Sequence, residues 1–245
     1  MILRIKNLHK TFGDQVVLQD IALTIKQGEC HGLIGKNGSG KSTLINIIVN
    51  LLPPDGGTIE LFGKKWHDHP QAIKKKIGVL PEINPVIDEF SVQDYLEYVG
   101  LIYGMNQELI QSRTEYLINY FFEDVPSPSK SIGQYSKGMK LKTGICAALI
   151  HKPKFLILDE PFDGLDVFSS KNLAAFLNDY RAKGNTVLVS SHDLLYMDKI
   201  ASHIDLIKGA ELLHLAKEDV QNNGKSFEDE ISDRLGYKPK ELGEF

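Results

Sequence analysis

Long hydrophobic runs are missing from this 245-residue chain. Its longest uninterrupted apolar stretches, such as 145–150 and 155–158, fall far short of the roughly 20 residues that span a bilayer. The opening MILRIKNLHKTF alternates and carries charges, so it has no apolar core of a secretory leader, and the expected location is cytoplasmic. Cysteine is nearly absent: Cys30 and Cys146 lie far apart, which excludes a CxxC redox pair and a cysteine metal cluster and fits a reducing compartment. Both are read as packing residues. Positive charge is not in excess either, with 28 Lys plus Arg against 32 Asp plus Glu and a net charge of -4. That argues against the basic footprint of a non-specific DNA binder, and no nucleic-acid partner is expected. There is no internal repeat and no low-complexity segment.

What is present is ordinary globular material, 42% apolar and 24% charged, which can bury a core. Residues 2–8 and 17–25 read as strands around a Gly13-Asp14 turn, and 29–34 reads as a short strand entering a glycine-rich loop. A helix over 42–49 stops before Pro53-Pro54. Residues 56–63 form a glycine-bounded strand, and IGVLPE is a strand ended by Pro81. From 91 to 122 the pattern turns helical, followed by a Pro/Ser loop at 125–131 and a helix over 137–152. Then come a buried strand at 155–158, a helix near 169–181 and a strand at 186–189. Short apolar strands alternating with helices predict an α/β fold with a mainly parallel sheet, into which a helical lobe at about 84–150 is inserted. The last 29 residues hold eight acidic and five basic side chains, so 216–245 is expected to be a charged appendage, with weak helical patterning near Phe227, Ile231 and Leu235.

The segment Gly35-Lys36-Asn37-Gly38-Ser39-Gly40-Lys41-Ser42 matches GxxxxGK[ST] in full, with a strand before it and a helix after. Glycines let successive N–H groups point at phosphate oxygens, and the helix adds its positive end. Lys41 is expected to reach the β- and γ-phosphates, Ser42 to coordinate Mg²⁺, and Thr43 to donate to the α-phosphate. Such a loop needs an acidic residue at the tip of a buried strand. FLIL followed by Asp159-Glu160 supplies two: Asp159 for the metal shell, Glu160 to orient or deprotonate the attacking water. The long separation of Lys41 from Asp159 agrees with an inserted lobe.

On these residues the chain, over about 1–215, resembles the nucleotide-binding subunits of ATP-binding cassette (ABC) transporters. The resemblance implies a P-loop NTPase (RecA-like) core with an N-terminal antiparallel β subdomain and an inserted α-helical subdomain. It implies that Phe12 stacks on adenine, that His192 contacts the γ-phosphate, and that Asp166, in Pro161-Phe162-Asp163-Gly164-Leu165-Asp166, faces a second subunit. The family's Leu-Ser-Gly-Gly-Gln signature is matched here by Tyr135-Ser136-Lys137-Gly138-Met139, which keeps Ser136 and Gly138. Ser136 caps a helix and Gly138 permits close approach to a phosphate. Lys137 either adds positive charge or faces solvent. YSKGMK resembles a variant common in cassettes of small two-component exporters, including bacitracin-type and other peptide or drug resistance systems. Glu82 stands where the family usually has glutamine; it accepts hydrogen bonds or approaches Mg²⁺ but cannot donate as an amide does. His67 and His69 lack a third ligand and read as surface residues.

The resemblance implies a head-to-tail dimer in which ATP and Mg²⁺ lie on one subunit's residues 35–43 and are covered by Ser136 and Gly138 of the other. Glu160, His192 and Lys41 would carry the chemistry. A separate integral membrane permease would dock near 82–103, placing the chain peripherally on the cytoplasmic face of the membrane. The function implied is ATP hydrolysis driving export of a peptide, antibiotic or other amphiphile. The alternatives are a soluble cassette that assembles or remodels macromolecules, and a regulatory cassette with little turnover.

Overall fold

The computed structural model describes residues 1–235 apart from 193, 223 and 225. In chain order its elements are β1 (Leu3–Phe12), β2 (Gln15–Ile25), β3 (Cys30–Ile34), α1 (Lys41–Ile48), β4 (Gly56–Leu61), α2 (Pro70–Lys74) and β5 (Ile77–Leu80). There follow α3 (Val92–Ile102), α4 (Gln107–Phe121), α5 (Lys137–Leu149), β6 (Phe155–Asp159), α6 (Val167–Ala182) and β7 (Thr186–Ser191). The last are α7 (Leu194–Ile200), β8 (His203–Lys208), β9 (Glu211–Ala216), α8 (Lys217–Asn222) and α9 (Phe227–Leu235).

These strands make two sheets. β2-β1-β4 is antiparallel; the second sheet, ordered β5-β6-β7-β3-β8-β9, is parallel except for the β8–β9 hairpin at its edge. β3, β6 and β7 are buried along their whole length, which is why they read as unbroken apolar runs with little alternation. β1 and β2 each have an exposed side and alternate, but a bulge interrupts the period between Ile5 and Leu8. There Asn7 and Asp20 both take positive φ and their side chains bond at 2.7 Å.

The core has two parts. Leu44, Ile45, Ile47 and Ile48 of α1 pack with Leu3, Ile5 and Leu8 of β1 and with Phe155 and Ile157 of β6. The opposite face of the parallel sheet packs on the helical lobe, α6 and α7. The lobe itself, α3 to α5, is inserted between β5 and β6, and its long helical pattern breaks at Gly104, where Asn106 caps α4 by accepting from Leu109 N at 2.8 Å. The expected appendage folds over its described part: α8 and α9 bury Val220 and Ile231 in the core, and residues 236–245 of it lie outside the described residues. Cys30 and Cys146 are buried and unbonded to each other. Among the described residues no helix is long and apolar enough to cross a membrane.

Candidate phosphate site

In a parallel sheet the carboxyl ends of the strands open onto a common crevice. Here β3 ends at Gly35, β6 at Asp159-Glu160, β7 at Ser191-His192 and β5 just before Glu82, and the order β5-β6-β7-β3 makes these ends neighbours. They border a cleft of about 550 Å³ lined by Asn37, Glu82, Asp159, Glu160 and His192, together with Tyr135, Lys137 and Lys140 of the helical lobe.

The glycine-rich loop joins β3 to α1. Gly40 has φ +106° and lies so close to β2 that a Cβ there would meet Val17 Cγ1 at 3.0 Å, so this turn takes glycine and little else. Lys41 is buried; its Nζ donates to the Gly35 carbonyl at 3.0 Å and lies 3.5 Å from Glu160 Oε1. Ser39 Oγ is buried and finds no hydrogen-bond partner among the described residues. A buried hydroxyl in that state is costly, and it sits in the loop whose residue pattern is made for phosphate.

Four oxygen-bearing side chains converge beyond the loop. Ser42 Oγ donates to Glu82 Oε2 at 3.1 Å, with the Asp159 carboxyl close beside it. Burial pushes the Asp159 carboxyl up; hydrogen bonds from Ser190 and Ser42 oppose this, and the charges of Glu82 and Glu160 reinforce it. Glu160 is the pivot. Its Oε2 meets His192 Nδ1 at 2.9 Å while its Oε1 faces Lys41, so the carboxylate is held between two nitrogen groups. Its backbone takes φ +51°, an uncommon conformation for a side-chain-bearing residue, where the chain turns out of β6. An all-oxygen set with three carboxylates suits a hard divalent cation such as Mg²⁺.

Sequence reasoning did not single out Ser190. The parallel register sets it opposite Asp159, and its hydroxyl donates to Asp159 Oδ1 while accepting from Glu160 N at 2.9 Å. A serine at the end of β7, two residues before His192, is the signal the sequence offers.

The remaining residues named from sequence lie elsewhere. Phe12 is half exposed at the tip of the β1–β2 hairpin. Thr43 lies in the first turn of α1. Asp166 caps α6, accepting from the Ser169 hydroxyl and from Ser169 N and Phe168 N, and these bonds, the hydroxyl foremost, lower its carboxyl pKa to about 2. Ser136 caps α5 by accepting from Met139 N. Gly138 stands against the Gly164 carbonyl, which a Cβ would meet at 2.7 Å. Ser136 and Gly138 do not line the cleft, whereas Lys137 does: it lies over Gly164 and pairs with Asp163 at 2.8 Å. His67 is exposed and pairs with Asp68.

A family model described as "ABC transporter" matches residues 18–163. The chain is 32% identical over 222 residues to the ABC transporter ATP-binding protein NatA of Bacillus subtilis, covering 90% of this chain and 87% of that one. It is 30% identical over 240 residues to the bacitracin transport ATP-binding protein BcrA of Bacillus licheniformis, covering 95% and 76%. Among solved structures, an ATP-binding subunit of an ABC transporter superposes with a TM-score of 0.88 at 29% identity, covering 96% of this chain and all of that one. A dimeric bacterial ABC transporter cassette gives 0.78 at 25%, covering 88% and 98%.

Proposed function

The chain belongs to the ABC transporter family and is one of its ATP-hydrolysing subunits; from this premise we propose that it energises an exporter of a peptide, antibiotic or other amphiphile. The observation that carries the transport half is an exposed apolar surface where the two lobes meet. Ile102 and Leu51, 64% and 71% exposed, line a groove together with Trp66 and Tyr103. Soluble surfaces seldom cluster large apolar side chains this way unless a partner covers them. The similarity to a bacitracin transport protein supports the cargo class.

Within the site, the backbone of 35–40 and Lys41 bind the nucleotide phosphates, with Thr43 on the α-phosphate and Phe12 against the base. Ser42, Asp159 and Glu82 hold Mg²⁺, which when bound neutralises charge on the β- and γ-phosphates. Glu160 takes a proton from the attacking water, and His192 and Lys41 stabilise the transferring phosphoryl group. A second cassette supplies the missing wall. Ser136 and Gly138 point to this, because neither lines the chain's own cleft and Gly138 sits against the chain's own Gly164. Asp166, at the head of α6, faces that second subunit.

Two results check this reading. Ile102→Asp should reduce recovery of the protein with membranes about tenfold or more, as loss of one apolar anchor does, while ATP turnover of the detached subunit stays within about twofold. Unchanged membrane recovery, or none for the native chain expressed beside its neighbouring genes, would favour the soluble assembly role. Ser190→Ala should weaken the apparent Mg²⁺ affinity in ATP hydrolysis about 10- to 100-fold, because it removes the group that orients a metal ligand. It should also move the acid limb of the pH–rate profile upward, since Asp159 loses a bond that favours its charged form.

A further inference from the structure

Five titratable side chains that the ATPase does not use meet where β3, β8 and β9 run side by side. Glu29 precedes β3, His31 lies in it, His203 and Asp205 lie in β8, and His214 lies in β9. His31 is fully buried in the middle of the parallel sheet, where an apolar residue is the usual choice. Its Nδ1 is 2.6 Å from Asp205 Oδ2, and the other oxygen of that buried carboxylate receives His214 Nδ1 at 2.7 Å. Its Nε2 faces the Glu29 carboxylate at 3.1 Å. The rings of His31 and His203, paired across β3 and β8, stack with centroids 4.7 Å apart.

A neutral imidazole carries one N–H. If Asp205 accepts it from Nδ1, the Nε2 lone pair confronts a carboxylate, and a cation must lie between or on them. A proton would satisfy those two groups alone. The third donor distinguishes the cases: one ligand atom from each of Glu29, His31 and His203 lies within 4.8 Å of the other two. Tetrahedral ligands on a zinc-sized ion lie about 3.4 Å apart, so the three atoms close by at most about 1.4 Å, with the stacked His203 ring turning to bring its Nε2 lone pair onto the ion. We propose that Glu29, His31 and His203 bind a divalent transition-metal ion of the zinc class, with Asp205 as the carboxylate that orients His31. Two imidazoles and one carboxylate favour Zn²⁺, Co²⁺ or Ni²⁺ over Mg²⁺ and Ca²⁺. A carboxylate accepting from the far nitrogen of a ligating histidine is the usual support for such a centre. Ser202 Oγ, bonded to the Cys30 backbone, lies 3.0 Å from His203 Nδ1 and steadies the third ligand. Glu29 and His203 are partly exposed, which gives the ion a route from solvent. The bound ion would tie β3 to β8 near the start of β3, at the other end of that strand from Gly35.

The test is titration of the chelator-stripped full chain with Zn²⁺ alone, in calorimetry and in competition with a chromophoric chelator, in the presence of millimolar Mg²⁺. The proposal expects one ion per chain, a dissociation constant of about 1 µM or tighter, a raised melting midpoint, and Co²⁺ absorption bands of a low-coordinate nitrogen–oxygen site. His203→Ala and Glu29→Gln, both at the accessible edge, should each weaken binding at least about tenfold while the metal-free proteins melt as the native chain does. The fully buried His31 is left intact so that folding is not the variable. Absence of saturable binding would overturn the proposal. So would binding that survives both variants, binding lost only in His214→Ala, or binding lost only when His67 and His69 are replaced.

Discussion

Glu160→Gln should cut ATP turnover by about 100- to 10,000-fold while leaving nucleotide affinity within a few-fold of the native value. The amide has the carboxylate's shape but takes no proton from water. It also removes the negative charge that lies between Lys41, 3.5 Å away, and His192 Nδ1, 2.9 Å away. Neither lysine nor loop backbone is altered, so phosphate binding persists and the ATP-bound pair of cassettes should accumulate. Phosphate release measures the first effect; equilibrium nucleotide binding and size-exclusion chromatography with ATP measure the second. Turnover within about threefold of native would remove Glu160 from the proton-transfer step and shift attention to His192 and Asp159.

The largest effect on stability is expected at Gly78, in the middle of β5. An added Cβ would lie 2.1 Å from the Ala148 carbonyl oxygen at the end of α5, and 2.8 Å from Pro153 Cγ. The first obstacle is backbone, which no rotamer change relieves. Gly78→Ala therefore forces strand and helix apart, an overpacking cost of about 3 kcal/mol. For a chain of this size that corresponds to a fall in melting temperature of about 6–12 °C. Scanning calorimetry checks it, and a fall under about 2 °C would contradict the close approach of β5 to α5. Because β5 also leads into Glu82, a destabilised variant that still folds should lose Mg²⁺-dependent turnover before it loses nucleotide binding.

The parts of this molecule legible in sequence are those written in contiguous residues. The loop from Gly35 to Ser42, the apolar strand ending in Asp159-Glu160, and the helical lobe between them each announce themselves locally. The inserted helices are as those segments implied, and the antiparallel N-terminal sheet is as the family resemblance implied. Less was legible where structure depends on register or on a neighbour. The β8–β9 hairpin went unread because HIDLIK and ELLHLA mix charge into short runs, and their pairing is set by the sheet edge. α3 and α4 share one helical period, so their division rests on Gly104 and the Asn106 cap alone. Ser190 becomes meaningful only once β7 is laid beside β6 with Asp159 opposite. The five residues around His31 are spread from position 29 to 214 and carry no spacing signal at all. Lys137 is a similar case. Its partner Asp163 belongs to a loop 26 residues on, which composition cannot reveal.

That lysine has a consequence for timing. Lys137 and Asp163 are 71% and 58% exposed, so their pairing is worth less than about 1 kcal/mol and weakens with salt. It nonetheless joins the segment proposed to serve the partner's nucleotide to the turn that leaves this chain's own Glu160. A bond of that strength forms and breaks freely at ordinary temperature. The two nucleotides of a pair would then exchange news of hydrolysis through a contact that sets the order of events without holding either one back.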